Sequence, residues 1–280
     1  EKCDFKELVR DKILEPLEKL IKPDALLFGT ILMEYHELKA FVDTLNALFS
    51  PSTITSMPSK MLQSSLIAIY GLYLILPDTP ERNHLSMVII FVLNNADQHE
   101  LHTMIKNIRL KDDEKVLKIH PRVTFHNNSL QIGSDGITDD SEMFLNLIRH
   151  SNNNGLVYKI FLCLINLLSV VQNASNSFLT SYDVDEDELP GVLHRTFFKQ
   201  LSLIEPLQEM IQWKSLHSQL NENPKEILEA IKGILIKSRD EDEQIVIIFF
   251  SLFKELLNKV KSEEHRRQME QEISKLMERF

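Results

Sequence analysis

Glycine is scarce in this chain, seven residues in 280, against a usual share of about 7%. So few cannot supply the turns of a many-stranded sandwich or barrel, nor the phosphate loops of a nucleotide-binding fold. The one close pair, Gly133 and Gly136, fits no phosphate loop, and neither Gly-x-x-x-x-Gly-Lys-Ser/Thr nor Gly-x-Ser-x-Gly occurs. Cysteine is scarcer still. Cys3 and Cys163 lie far apart in apolar-periodic segments, which predicts two buried reduced thiols rather than a disulfide or a catalytic thiol. Positive charge is also short, with 31 Lys plus Arg against 41 Asp plus Glu and a net charge of −10. Nonspecific nucleic-acid binding needs clustered cations, so that balance disfavours it. The basic pair Arg266-Arg267 stands among Glu263, Glu264, Glu270 and Glu272, a solvated mixed-charge helix face. Long apolar runs are missing too. The strongest windows, Leu66–Leu76, Leu156–Val171 and Ile245–Phe253, fall short of the roughly 20 residues a bilayer requires. The middle one also carries Lys159 and Asn166, both costly among lipid tails. All three are expected to be buried core helices, with no transmembrane span.

What fills the chain is helical periodicity. Hydrophobic content of 43% and charged content of 26% suit a folded chain. Phe5, Leu8, Val9, Ile13, Leu17, Leu20 and Ile21 form an i, i+3, i+4 ladder, which Pro16 should kink or break near Leu14–Glu15. After Lys22-Pro23-Asp24, with Asp24 a possible N-cap, Leu27, Ile31, Tyr35, Leu38, Val42, Leu45 and Phe49 predict a second helix from Ala25 to Phe49. Further helices are predicted over Ser59–Leu76, Arg82–Asn94, Gln98–Asn107, Ser141–Arg149 and Gly155–Gln172. Toward the end they are predicted over Val192–Ile204, Pro206–Leu220, Lys225–Lys237, Asp242–Lys259 and Glu263–Phe280.

Two stretches break the pattern. In Ile108–Asp140, Val123 and Phe125 alternate with Thr124 and His126, and Asn127-Asn128 precedes Leu130 and Ile132; a small hairpin and a long surface loop both fit. In Asn173–Glu188, the acids Asp183, Asp185, Glu186, Asp187 and Glu188 suggest an exposed linker before Leu189-Pro190-Gly191. The expected organisation is an N-terminal helical module over 1–107, an irregular insertion over 108–140, and C-terminal helical repeats over 141–280 with the acidic linker at 173–188. The fold class expected is all-α, a HEAT/armadillo-like α-solenoid of irregular antiparallel helix pairs, with a globular helical bundle as the competitor. A chain opening on Glu1 reads as a piece of a longer protein, and no basic-then-apolar leader opens it.

Chemistry is hard to find. His99 and His102 share a helical face near Asp97 and Glu100, but zinc would need a third ligand, and only His120 or His126 is near. Unligated imidazoles on a surface helix explain the spacing equally well. Trp213 follows Met210 and Ile211 on an amphipathic segment and is expected in packing rather than in an aromatic cage. Two sequons, at Asn127 and Asn173, read as chance matches in loops. No catalytic, cofactor or metal residue is assigned. The acidic residues 183–188 are the candidate contact for a basic partner.

The C-terminal third adds a resemblance. Asn223-Pro224 opens a helix carrying Ile227-Leu228, Ile231 and Leu235; a charged hinge Ser238–Glu243 and the apolar segment Gln244–Leu257 follow. With Leu189-Pro190-Gly191 and the Phe197-Phe198 helix before it, this region, residues 141–280, resembles the transport and Golgi organisation protein 6 family. Those are long α-solenoid proteins related to a yeast factor for nuclear import of RNA polymerase II. The resemblance implies a non-enzymatic scaffold that binds protein partners, in secretion and Golgi organisation or in polymerase assembly and import. It implies a cytoplasmic, nucleocytoplasmic or Golgi-associated location and brings no catalytic residues. Two other readings stay open, a helical enzyme with a site near His99 and His102, and a peripheral trafficking adaptor.

Overall fold

The computed structural model describes residues 10–49, 62–110, 117–134, 141–180, 189–222, 229, 251 and 254–277. The chain divides into two compact units, Glu1–Ser151 and Asn152–Phe280. Most described residues are helical, as the periodicity predicts, and one small sheet is added to them.

The first unit begins where Pro16 acts. Arg10–Leu14 is a π-helical turn, and the α-geometry starts at Glu15 to give α1 (Glu15–Ile21), with Pro16 in its first turn where a missing N–H costs least. Ile13, Leu17 and Leu20 form the buried stripe. The predicted helix over Ala25–Phe49 is corrected in its first third. Gly29 has φ of 79°, in the left-handed region, and residues Ile31–Glu34 form strand β1 before α2 (Tyr35–Phe49) begins. Asp24 therefore caps no helix there. Further along come α3 (Leu66–Ile75), α4 (Pro80–Asn94) and α5 (Gln98–Leu110). Two caps fix their starts. The Thr79 hydroxyl accepts the Arg82 N–H at 3.4 Å with Pro80 beside it, and Asp97 and Glu100 form a reciprocal capping box at 2.8 and 3.0 Å.

The insertion folds as a hairpin. Strands β2 (Val123–His126) and β3 (Ser129–Ile132) pair antiparallel, from Val123 opposite Ile132 to His126 opposite Ser129. Asn127 and Asn128 both have positive φ, 49° and 59°, as a two-residue primed turn requires. Strand β1 adds antiparallel to the other edge of β3, giving the order β1-β3-β2. This pairing explains the failed helix. A strand about a hundred residues away supplies the hydrogen bonds of residues 31–34, and local periodicity carries no trace of it. Helix α6 (Ser141–Arg149) closes the unit, with Phe144, Leu147 and Ile148 buried. Helix α2 packs on α4, α3 on α4 and α5, and α6 on α4.

Gly133 is required at the end of β3. A Cβ there would stand 2.5 Å from Thr124 Oγ1 and 2.7 Å from Thr124 Cγ2 across the hairpin. Gly133→Ala is expected to cost about 1–3 kcal/mol in urea unfolding, and adding Thr124→Ala, which removes both clashing atoms, should recover most of the loss. Equal stability of Gly133→Ala and the parent would contradict the close approach.

The second unit is built on α7 (Asn154–Thr180), which packs against α8 (Leu189–Met210) and α9 (Lys214–Glu222). The Asn153 side chain caps α7 by accepting the Leu156 N–H at 3.1 Å. Helix α7 runs past the predicted Gln172, so the expected linker is corrected over 173–180. Extending a formed helix costs far less than nucleating one, which carries it through the Asn- and Ser-rich stretch. Helix α8 is likewise unbroken at Pro206; Leu203, Ile204, Leu207 and Met210 are buried around it and hold the helix in place of the missing bond. Leu189-Pro190-Gly191 forms the first turn of α8 rather than the end of a linker. The predicted helices over 225–237 and 242–259 lie outside the described residues, apart from 229, 251 and 254–259, which are helical. Helix α10 (Glu263–Met277) carries Arg266 and Arg267 within 3.2–4.0 Å of Glu263 and Glu270, the mixed-charge face expected.

Cys163 is a free, buried thiol on α7, and burial pushes its pKa up to about 11; Cys3 lies outside the described residues. Against the ordinary 9.0, the thiolate at pH 8 falls about a hundredfold. In a Cys3→Ser background, native protein should react with a thiol reagent about a hundred times more slowly than unfolded protein. Equal rates would place the thiol at the surface.

Candidate functional site

Asp183, Asp185, Glu186, Asp187 and Glu188 lie outside the described residues, so the candidate acidic contact has no geometry here. The histidine pair does. His99 and His102 are on α5, and burial first, then His99 and Lys106, hold the His102 imidazole below its ordinary pKa. A neutral imidazole can ligate a metal, but ligands must converge. Among the described residues no group of three His, Cys, Asp or Glu is placed to hold an ion. The His120 backbone N–H donates to the Leu20 carbonyl at 2.9 Å, and its ring Nδ1 accepts the Arg122 backbone N–H at 3.3 Å. His126 ends β2 and is exposed. Metal analysis of protein purified without chelator is expected to show only trace zinc. Near-stoichiometric zinc lost in a His99→Ala, His102→Ala double variant would overturn this.

One polar contact sits inside the first unit. The Tyr35 hydroxyl donates to Glu81 Oε1 at 3.0 Å, and Glu81 is buried at the start of α4. Burial pushes the Glu81 carboxyl up, but hydrogen bonds from its own N–H, Tyr35 and Thr79, with Lys39 nearby, outweigh that and leave it below the ordinary value. Its contribution to stability is therefore present at neutral pH and lost as pH falls through that depressed value. This pair ties the β1–α2 junction to α4 and is structural.

Cavities lined by described residues lie in the first unit. One, about 300 Å³, is lined by Ile21, Ile67, Gly71, Leu74, Ile108 and Ile119, with Tyr70, Lys118 and His120 as its polar members. A second, about 580 Å³, runs along α1 past Glu15, Glu18, Lys19, Lys22 and Asp24. Neither brings together, among its described lining residues, a nucleophile with an oriented base.

The surface is more informative than the cavities. Among the described residues, the exposed large apolar side chains are Leu26, Leu27, Phe28, Ile31 and Tyr35 before, on and just after β1, Met87 on α4, and Val170, Phe197 and Phe198 on α7 and α8. Phe198 makes edge contacts with His194 at 4.6 Å and Phe197 at 6.1 Å between ring centroids. Periodicity alone puts Leu27 and Ile31 in a helix core, and the one local sign against it is Gly29 inside the pattern. Trp213 is buried, with its indole N–H 3.4 Å from Glu209 Oε1, as packing predicts. The window Asn154–Val171 of α7 is long and apolar enough to cross a membrane, yet two-thirds of it is buried inside the protein, as a core helix would be.

No family model matches the chain, and no solved structure does. Among curated proteins, Transport and Golgi organization protein 6 of Drosophila melanogaster is 26% identical over 268 residues, covering 90% of this chain. The chain spans 29% of that relative's length. The match reaches well beyond residues 141–280, so it takes in the first unit as well as the second. Similarity over that length supports the resemblance carried by the C-terminal helices, and the chain is similar to this transport and Golgi organisation protein across both of its units.

Proposed function

We propose that this chain is a non-enzymatic helical scaffold that binds protein partners in secretory transport and Golgi organisation, its helices stacking as an irregular HEAT/armadillo-like solenoid. The relative's name supports the pathway and favours secretion over polymerase import. The observation that carries the binding role is the outer face of the second unit. Helix α7 buries Ile160, Phe161, Leu164 and Leu168 against its neighbours, while Phe197 and Phe198 on α8 remain 46% and 55% exposed. Adjacent aromatics left about half exposed on a helix are side chains of the kind that anchor protein interfaces. The location proposed is Golgi-associated.

Affinity purification of the full-length protein, parent against Phe197→Glu, Phe198→Glu, tests this. Recovery of the principal partners is expected to fall at least roughly tenfold, as loss of an aromatic anchor gives, with an unchanged far-UV spectrum. An unchanged partner set would refute the assignment of that face.

A further inference from the structure

We propose that the cavity of about 300 Å³ in the first unit is a binding site for a medium-chain carboxylate, a single aliphatic tail with an anionic head. Its walls come from four places in that unit: Ile21 at the end of α1, Ile67, Gly71 and Leu74 on α3, Ile108 on α5, and the segment Lys118–Pro121. The volume stands at the low end of small-molecule sites, roughly 300–1,000 Å³. That suits one short tail and is too small for a phospholipid or a nucleotide.

Gly71 keeps this space open. It lies in the middle of α3, where glycine weakens a helix relative to alanine. Nothing crowds it: a Cβ there would come no closer than 3.6 Å to Ile119, an ordinary contact. Gly71 and Ile119 both line the cavity, so a larger side chain at 71 would take up its room. The glycine is thus explained by the space it leaves and not by a steric need.

The polar groups select the head. Lys118 and His120 flank Ile119 on one short segment, so a cation and a donor come from the same wall. Both are half-buried, while Ile67, Ile108 and Ile119 are buried. The segment is anchored to α1 by the His120 N–H, which donates to the Leu20 carbonyl at 2.9 Å. The His120 ring Nδ1 accepts the Arg122 N–H at 3.3 Å, which in a neutral imidazole leaves the proton on Nε2 as a donor. No Asp or Glu stands among the described lining residues, in a chain that carries 41 of them and a net −10. One ammonium and one neutral donor match a singly charged carboxylate, whereas a phosphate dianion would require more positive charge. The remaining walls are apolar and take the tail.

The probe is isothermal titration calorimetry of the full chain with decanoate below its micelle concentration. One decanoate is expected per chain, with decanol at least roughly tenfold weaker for want of the charge-assisted bonds. Lys118→Met should bring decanoate down to the level of decanol and leave decanol binding unchanged. Gly71→Leu should abolish binding of both, with a thermal midpoint no lower than the parent's, since leucine fills the space and favours the helix. Four results would overturn the proposal: a parent that binds no decanoate, decanoate and decanol bound alike by the parent, Lys118→Met that keeps the parent's preference, or a folded Gly71→Leu protein that binds as the parent does. Dihexanoylphosphatidylcholine bound as tightly as decanoate would make the ligand a membrane lipid and overturn the carboxylate. The scaffold reading rests on Phe197 and Phe198 and stands or falls separately.

Discussion

Phe144→Ala should cost the first unit about 3–5 kcal/mol. The ring is fully buried on α6, and Arg109, itself only 4% exposed, lies over it at 4.9 Å. Arg109 also donates from Nη2 to the Ser141 hydroxyl at 3.0 Å, so the guanidinium is held between the start of α6 and the ring. Truncation leaves a cavity and removes the aromatic face from a buried cation, worth a further ~0.5–2 kcal/mol. Phe144→Leu keeps much of the volume and loses only the face, so its cost should be smaller. Two probes make the measurement specific. Far-UV circular dichroism follows all helices, whereas Trp213, the chain's single tryptophan, lies in the second unit. Denaturation of Phe144→Ala should move the dichroism midpoint more than the tryptophan midpoint. A loss below about 1 kcal/mol would show that Phe144 is not the core residue described.

The second large effect is expected from Leu164→Asp on α7. Leu164 has no exposed surface and lies between Phe161 and Leu168, which are also buried. An unpaired carboxylate at such a position costs several kcal/mol, more than about 4 in a packed core. The second unit should fail to fold, with red-shifted Trp213 emission and loss of helical signal. Val170→Asp, six residues on and 51% exposed, should change stability by less than about 0.5 kcal/mol. That contrast also tests whether Asn154–Val171 is a core helix with one outward face. Equal tolerance of both substitutions would contradict it.

Much of this architecture is legible from sequence, for a physical reason. Helices α4, α5 and α7 each carry their own apolar residues and start signals: Thr79-Pro80, the Asp97–Glu100 box and Asn153 mark starts within a residue or two of those seen. The hairpin is signalled by alternation around Asn127-Asn128, but the same residues also suit a loop, because a hairpin is stabilised by neighbours it cannot display. Residues 25–34 mislead for the converse reason. Leu27 and Ile31 extend a sound helical ladder, and the left-handed Gly29 together with the pairing of residues 31–34 to β3 removes them from it. Pro206 and the Asn/Ser stretch after Gln172 are weak local helix formers carried by helices already formed and packed. The site is less legible than the fold. Exposure of Phe197, Phe198, Leu27 and Phe28 is a property of where the backbone leaves them, and nothing in their identity separates them from core residues.

The central claim, a role in secretory transport through binding, is tested most directly by measuring release of a secreted cargo from cells depleted of the full-length protein. Depletion should slow release and disperse the Golgi, and the parent protein should restore both. Re-expressed Phe197→Glu, Phe198→Glu protein, folded and equally abundant, should restore neither. Normal secretion and an intact Golgi after complete depletion would contradict the account.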